Sequence, residues 1–237
     1  MSSPKRKRYE LEVAETGPSK KAKLSSDEDS EASKIPISNS NVAPDSLIDH
    51  KAAIAYWSGT EATVSGVLGG FPEVSRVDVQ GSSNFLAKLR RSSKHHPPSK
   101  KLRRAADCGA GIGRITEGFL RLEAWHPDRD GLGPYDLMWN QWCVDQLTDV
   151  QLVNYLKCMV HVLSEGGWIV VKENLSSHHL GEDVFDTEDG SVTRTDGSFR
   201  ELLRNAGLRL VSTGLQRGMP KGLYPVRAYA LQPRYLS

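Results

Sequence analysis

Residues 104–114 read Arg-Ala-Ala-Asp-Cys-Gly-Ala-Gly-Ile-Gly-Arg, and the fold follows from them. Ala105-Ala106-Asp107-Cys108 is a short apolar run that leads straight into Gly109-Ala110-Gly111-Ile112-Gly113, after which Ile115–Leu122 has helical spacing. Glycines permit the sharp turn between strand and helix and let a ligand lie against bare backbone. The helix behind the loop presents unpaired N–H groups and the positive end of its dipole, so the loop suits negative charge. A dinucleotide site usually spaces its glycines Gly-x-Gly-x-x-Gly. Here the third glycine comes one residue early, and Arg114 follows at once, a residue suited to pairing with a ligand carboxylate.

Working outward, Tyr135–Trp139 reads as a strand. Thr148 is placed to cap a helix carrying Val150, Leu152, Val153, Leu156, Met159, Val160 and Leu163, which ends at Gly166-Gly167. Trp168–Val171 is a buried-type strand, Phe199–Ala206 a helix ended by Gly207, and Leu208–Gly214 and Val226–Leu231 two further strands. Strands alternating with helices predict an α/β fold: a Rossmann-like, mainly parallel sheet with helices on both faces and a late antiparallel hairpin. Upstream, Ser46–Trp57, Thr60–Leu68 and Ser82–Arg91 have helical spacing and make an N-terminal helical extension, followed by the basic, Pro-containing loop Ser92–Lys101. One domain is expected over 46–237, with a helical part at 46–103 and the sheet core at 104–237.

Residues 1–45 are rich in Ser, Lys, Glu, Asp and Pro and poor in large apolar side chains. Such a stretch buries too little surface to offset its ordering entropy, so a disordered tail is expected. Its two basic clusters, Lys5-Arg6-Lys7-Arg8 and Lys20-Lys21-Ala22-Lys23, resemble a bipartite nuclear import signal, which makes an import receptor an expected partner and the nucleus or cytoplasm the expected location. Cys108, Cys143 and Cys158 have no metal-ligand spacing, cannot all pair, and suit a reducing compartment. No run approaches the roughly 20 apolar residues of a membrane span, and no apolar signal core opens the chain. A net charge of +2 argues against nucleic-acid binding by the whole chain.

Several further stretches, in order, make a specific resemblance. They are Tyr56-Trp57, Val67-Leu68-Gly69-Gly70, Asp107–Arg114, Trp139-Asn140-Gln141-Trp142, Leu147-Thr148-Asp149, Val170-Val171-Lys172-Glu173-Asn174, Asp186–Arg194 and Leu223-Tyr224. Residues 56–231 resemble the protein α-N-terminal methyltransferases, which methylate chains beginning Xaa-Pro-Lys with S-adenosylmethionine (SAM), a donor with a carboxylate and no pyrophosphate. The resemblance implies that Gly109 and Arg114 hold the methionine end of SAM, that Gly111 belongs to the same cofactor site, that Leu122 and Glu123 contact its adenine, and that Gln141 lies beside the sulfonium. It implies a peptide pocket walled by Tyr56, Trp57, Leu68, Val74, Trp142, Leu223 and Tyr224, with Ser191 nearby. Asn174 then orients the substrate's first carbonyl, and Asp186 and Asp189 meet its amine and its Lys. Aromatic walls suit a proline ring and a methylated, cationic product. A carboxylate such as Asp189 can accept the amine's proton. Enzymes acting on bases or glutamine commonly carry an Asn/Asp-Pro-Pro-Tyr/Phe loop, and Asn140-Gln141-Trp142 stands there instead.

The chain departs from this family in two places. Gln146 stands where the family usually has His before Leu-Thr-Asp, and Gln is no base near neutral pH. More drastically, only 11 residues separate Gly113 from Trp125. They hold one helix and then Leu122-Glu123-Ala124-Trp125, a piece the family places after its third strand. Strands 2 and 3 of the family sheet are therefore expected to be missing, roughly 45 to 55 residues, together with the acidic residue that clasps the ribose about 20 residues past the glycines. The abrupt join across Gly118–Glu123 is the mark of a skipped exon or a misjoined gene model. A catalytically impaired relative that binds Pro-Lys termini without efficient methylation is the alternative.

Overall fold

The computed structural model describes residues 42–121 and 133–234. A 3-10 helix at Pro44–Leu47 and helices α1 (His50–Gly59), α2 (Val64–Val67) and α3 (Val74–Arg91) precede the sheet. The core then runs β1 (Ala105–Cys108), α4 (Arg114–Arg121), β2 (Tyr135–Gln141), α5 (Asp149–Val160), β3 (Leu163–Asn174), β4 (Val184–Phe185), β5 (Val192–Thr193), α6 (Asp196–Asn205), β6 (Leu208–Leu215) and β7 (Val226–Pro233). The tail over 1–41 and the residues Leu122 and Glu123 lie outside the described residues.

Five strands form one sheet in the order β1-β2-β3-β7-β6. The pairs β1/β2 and β2/β3 are parallel, whereas β3/β7 and β6/β7 are antiparallel. This is the expected Rossmann-like sheet with its late hairpin. Among the described residues no strand lies outside β1, which ends the sheet. The small β4/β5 hairpin was not expected, because two-residue strands have no legible period.

Both sheet faces are covered, and the two-residue alternation of β2 and β3 assigns their side chains. Met138, Ile169 and Val171 face Leu152, Leu156 and Met159 of α5 and Phe199, Leu202 and Leu203 of α6. Leu137, Trp139, Trp168 and Val170 face Phe85, Leu86 and Leu89 of α3 and Ile115 and Phe119 of α4. Thr148 caps α5 as expected, and Gln151 closes a reciprocal capping box. Arg194, fully buried, donates to Asp149 Oδ1 at 2.9 Å and to the Leu147 carbonyl at 2.6 Å, pinning the start of α5 to β5.

Helix α3 differs from expectation. It begins at Val74 rather than near Ser82, although Val74, Val77, Val79 and Gly81 are poor helix formers that argue locally against it. Tertiary packing overrides them: Val74, Asp78, Ser82, Phe85, Leu86 and Leu89 are buried along the helix. Asp78 is a charge on that otherwise inward face.

Candidate functional site

The site lies beyond the carboxyl ends of β1, β2 and β3, where ligands of open α/β sheets bind. Gly109, Gly111 and Gly113 all have positive φ (70°, 54° and 77°) and fold the loop after β1 into a cradle. Gly109 admits no side chain: a Cβ there would stand 2.5 Å from Cys143 Cβ. Asp107 ends β1 and accepts from the Thr116 N–H at 3.1 Å and its hydroxyl at 2.6 Å, fastening the loop to α4. Burial pushes the Asp107 carboxyl up, and the two Thr116 bonds and Arg114 oppose that shift.

Three consecutive residues of β3 support this region, each differently. Lys172 Nζ donates to Asp78 Oδ1 at 2.6 Å. Glu173 Oε1 accepts from the backbone N–H groups of Cys143 (2.8 Å) and Val144 (3.1 Å), which shapes the turn after β2. Asn174 Oδ1 accepts from Trp142 Nε1 at 3.2 Å. Trp142 occupies the left-handed backbone region, φ 53°, and its own N–H donates to the Lys172 carbonyl at 3.1 Å. The Arg114 guanidinium sits 5.4 Å from the centroid of the Trp142 ring.

One cavity of about 570 Å³ unites these parts. Gly109, Gly111, Arg114 and Gln141 line one portion, and Tyr56, Trp57, Leu68, Val74, Trp142, Asn174, Leu223 and Tyr224 also line it. All twelve were expected at a donor or peptide site. Its size is ordinary for a small-molecule pocket. Asp186, Asp189 and Ser191 do not line it. Asp189 is only 2% exposed, and its Oδ1 accepts from the Ser191 hydroxyl at 2.6 Å. Gln146 lines the cavity, accepting from Trp57 Nε1 and donating to the Asp189 carbonyl oxygen, each at 3.3 Å. Asp186 lies close enough to Tyr224 for its charge to add to the burial that pushes that phenol up.

The structure adds functional neighbours that the sequence did not mark. Cys143, Phe71, Ile112 and Met219 line the cavity, and Asp78 and Lys172 form a buried pair bonded to Gln141 and Arg114. The one sequence signal for Asp78 is a carboxylate spaced four residues from Val74 and Ser82 on the buried side of α3. Among the described residues no cluster of His, Cys, Asp or Glu could hold a metal ion.

A glycine cradle after a first parallel strand, an arginine at the following helix and no third glycine at dinucleotide spacing fit the class of SAM-dependent methyltransferases, and the comparisons place the chain there. Over residues 45–122 and 119–232 the chain matches the family described as AdoMet-dependent proline di-methyltransferases (AdoMet being SAM), and it belongs to that family. The α N-terminal protein methyltransferase 1 of Schizosaccharomyces pombe is 37% identical over 217 residues, covering 76% of this chain and 94% of the relative. The mouse N-terminal Xaa-Pro-Lys N-methyltransferase 1 is 30% identical, covering 81% and 99%. A solved SAM-dependent methyltransferase from Leishmania major superposes with a TM-score of 0.65 at 33% identity, covering 78% of this chain and 86% of that one.

The two matched stretches meet at 119–122, where α4 runs into the Leu122-Glu123 piece.

The residues present fit SAM: a backbone cradle that excludes Cβ, a cation beside it and an apolar remainder. When bound, SAM supplies an electrophilic methyl group on a sulfonium. Gly109 and Arg114 would hold its methionine end, with Gly111 in the same cradle and Gln141 beside the sulfonium.

Proposed function

We propose that the chain methylates the α-amino group of proteins beginning Xaa-Pro-Lys. The observation that carries this reading is the single cavity in which the glycine cradle, Arg114 and Gln141 share walls with Tyr56, Trp57, Trp142 and Asn174. The mouse relative's name states the same substrate class. Tyr56 and Trp57 stand edge to face, ring centroids 5.1 Å apart, and offer a proline ring a flat apolar seat. Asn174 has its carbonyl oxygen committed to Trp142, so its amide nitrogen is the group left to donate to a substrate carbonyl. The paired basic clusters of the tail support nuclear entry.

Transfer forms a C–N bond to the amine as the C–S bond breaks, the electron pair returns to sulfur, and the amine loses one proton. An α-amine has a pKa near roughly 7.7–8.0, so an appreciable fraction enters neutral at physiological pH. Positioning then supplies most of what the chain itself contributes, up to about 7–11 kcal/mol in favourable cases. Radiolabelled methyl transfer to a Ser-Pro-Lys-Arg peptide, with an N-acetylated peptide as control, tests the reading. Label on both peptides, or on neither when SAM is retained, contradicts it. Peptide binding without transfer supports the impaired alternative, which is favoured by β1 standing at the end of the described sheet.

Gln146 gives this chain its own pH signature. With no imidazole at that position, kcat/KM rises with pH in one step set by the substrate amine. Gln146→His adds an ionisation near about 6.5 and raises the rate at pH 7 up to about 10²-fold, the lower part of the range for a positioned base. A profile unmoved by that substitution would place position 146 outside the proton path.

A further inference from the structure

Beneath the donor portion of the cavity lies a polar cluster in an otherwise apolar layer. Asp78 of α3 is fully buried, and Lys172 of β3 is 1% exposed. The carboxylate is shared three ways. Oδ1 accepts from Lys172 Nζ at 2.6 Å, Oδ2 from Arg114 at 2.6 Å, and both oxygens lie within 2.9 Å of Gln141 Nε2. Gln141 Oε1 in turn accepts from Trp139 Nε1 at 3.0 Å and from the Ser82 hydroxyl at 3.3 Å. Lys172 also donates to Ser82 Oγ at 2.8 Å and Gln216 Oε1 at 3.0 Å. Burial pulls the Lys172 ammonium down from its usual value, with Asp78 opposing.

We propose that Asp78 is a positioning residue for methyl transfer: its carboxylate sets the orientations of Arg114 and Gln141 toward the donor, and Lys172 is its buried counter-ion. The proposal rests on the donor site described above. Two features support it. Arg114 and Gln141 are long side chains whose freedom must be removed before they present fixed groups to a ligand, and both are tied to the same carboxylate. Charge also counts. One carboxylate faces two cations, so the cluster carries a net +1 toward the cavity, complementary to a ligand carboxylate. A further link follows from helical spacing: Val74, a wall of the peptide portion, lies one turn before Asp78 on α3, so one helix lines the peptide portion and, through Asp78, holds the Arg114 and Gln141 of the donor portion.

The test separates orientation from charge and from stability. Asp78→Asn removes the anchor and leaves two cations; Asp78→Asn with Lys172→Met removes anchor and counter-ion together and keeps the cluster at +1. S-adenosylhomocysteine, the demethylated donor with the same amino-acid end, is the probe, measured by equilibrium dialysis on the full chain alongside thermal melting. Both variants are expected to bind it at least tenfold more weakly. The double variant is expected to recover most of the melting temperature lost by Lys172→Met alone. Were charge the whole effect, Asp78→Asn would bind more tightly and the double variant like the parent; either result overturns the proposal. A double variant that regains affinity together with stability makes Asp78 structural and overturns it too. A parent chain that retains no S-adenosylhomocysteine overturns the donor site itself, and the proposal with it.

Discussion

Inserting after Arg121 a segment that supplies the strands expected to be missing, with the ribose-clasping acid, raises the affinity for SAM at least a hundredfold. The physical reason is the position of β1. It pairs with β2 on one side and ends the described sheet on the other, four residues long and only partly buried. Its outer N–H and C=O groups are the template on which further strands would add. In Rossmann-like sheets the strand after the glycine-loop helix ends in an acid that accepts from both ribose hydroxyls. Two hydrogen bonds to a charged group contribute about 1.5–3 kcal/mol each. At about 1.4 kcal/mol per tenfold, that amounts to at least a hundredfold in affinity. Equilibrium dialysis of the parent and the restored chain measures it, and equal affinities would show that the described cradle already suffices. Sequencing the messenger RNA across codons 118–124 addresses the origin of the junction: reads that run uninterrupted through the join as the major species refute a misjoined gene model.

Lys172→Met, alone, costs about 3–5 kcal/mol of stability, the range for breaking a buried ion pair from one side. Methionine fills the space of the lysine stem, so packing changes little and the loss is electrostatic. Asp78 keeps Arg114 but loses the donor at 2.6 Å, inside a site where neither residue of the pair sees water. For a domain of this size each kcal/mol moves the melting temperature by roughly 2–4 °C, so a drop of roughly 6–20 °C is expected by calorimetry. A shift under about 3 °C would mean that Arg114 alone satisfies the carboxylate.

The sheet core was legible wherever periodicity and glycine punctuation agreed. The strand ahead of Gly109, the Thr148-capped start of α5 and the last two strands stand where their patterns placed them, whereas α5 stops at Val160 and Leu163, Gly166 and Gly167, expected at its end, belong to β3, because an apolar residue at helical spacing is equally at home in the strand that follows. Helix α3 was half hidden, since Val77, Val79 and Gly81 argue locally against helix and only packing onto Trp139 and Trp168 settles it. Of the site, the cradle, Arg114 and the aromatic walls were legible through motifs. Asp78 was not, because a buried carboxylate is recognisable only once its cations, 36 and 94 residues away in sequence, are brought to it. Nor could residue types reveal that Asp189 lies behind Gln146 rather than on the cavity wall, because depth is a property of the fold.

The backbone of Trp142 has a consequence for how this protein can be altered. A bulky residue at φ 53° sits about 1–3 kcal/mol above a relaxed conformation, and glycine or asparagine would occupy it at less cost. Its indole nevertheless bridges Asn174 and Arg114, one at each half of the cavity. Selection for heat resistance and selection for turnover therefore pull on this codon in opposite directions. Screening for thermal tolerance alone would enrich smaller residues there, and those winners would be the poorest enzymes.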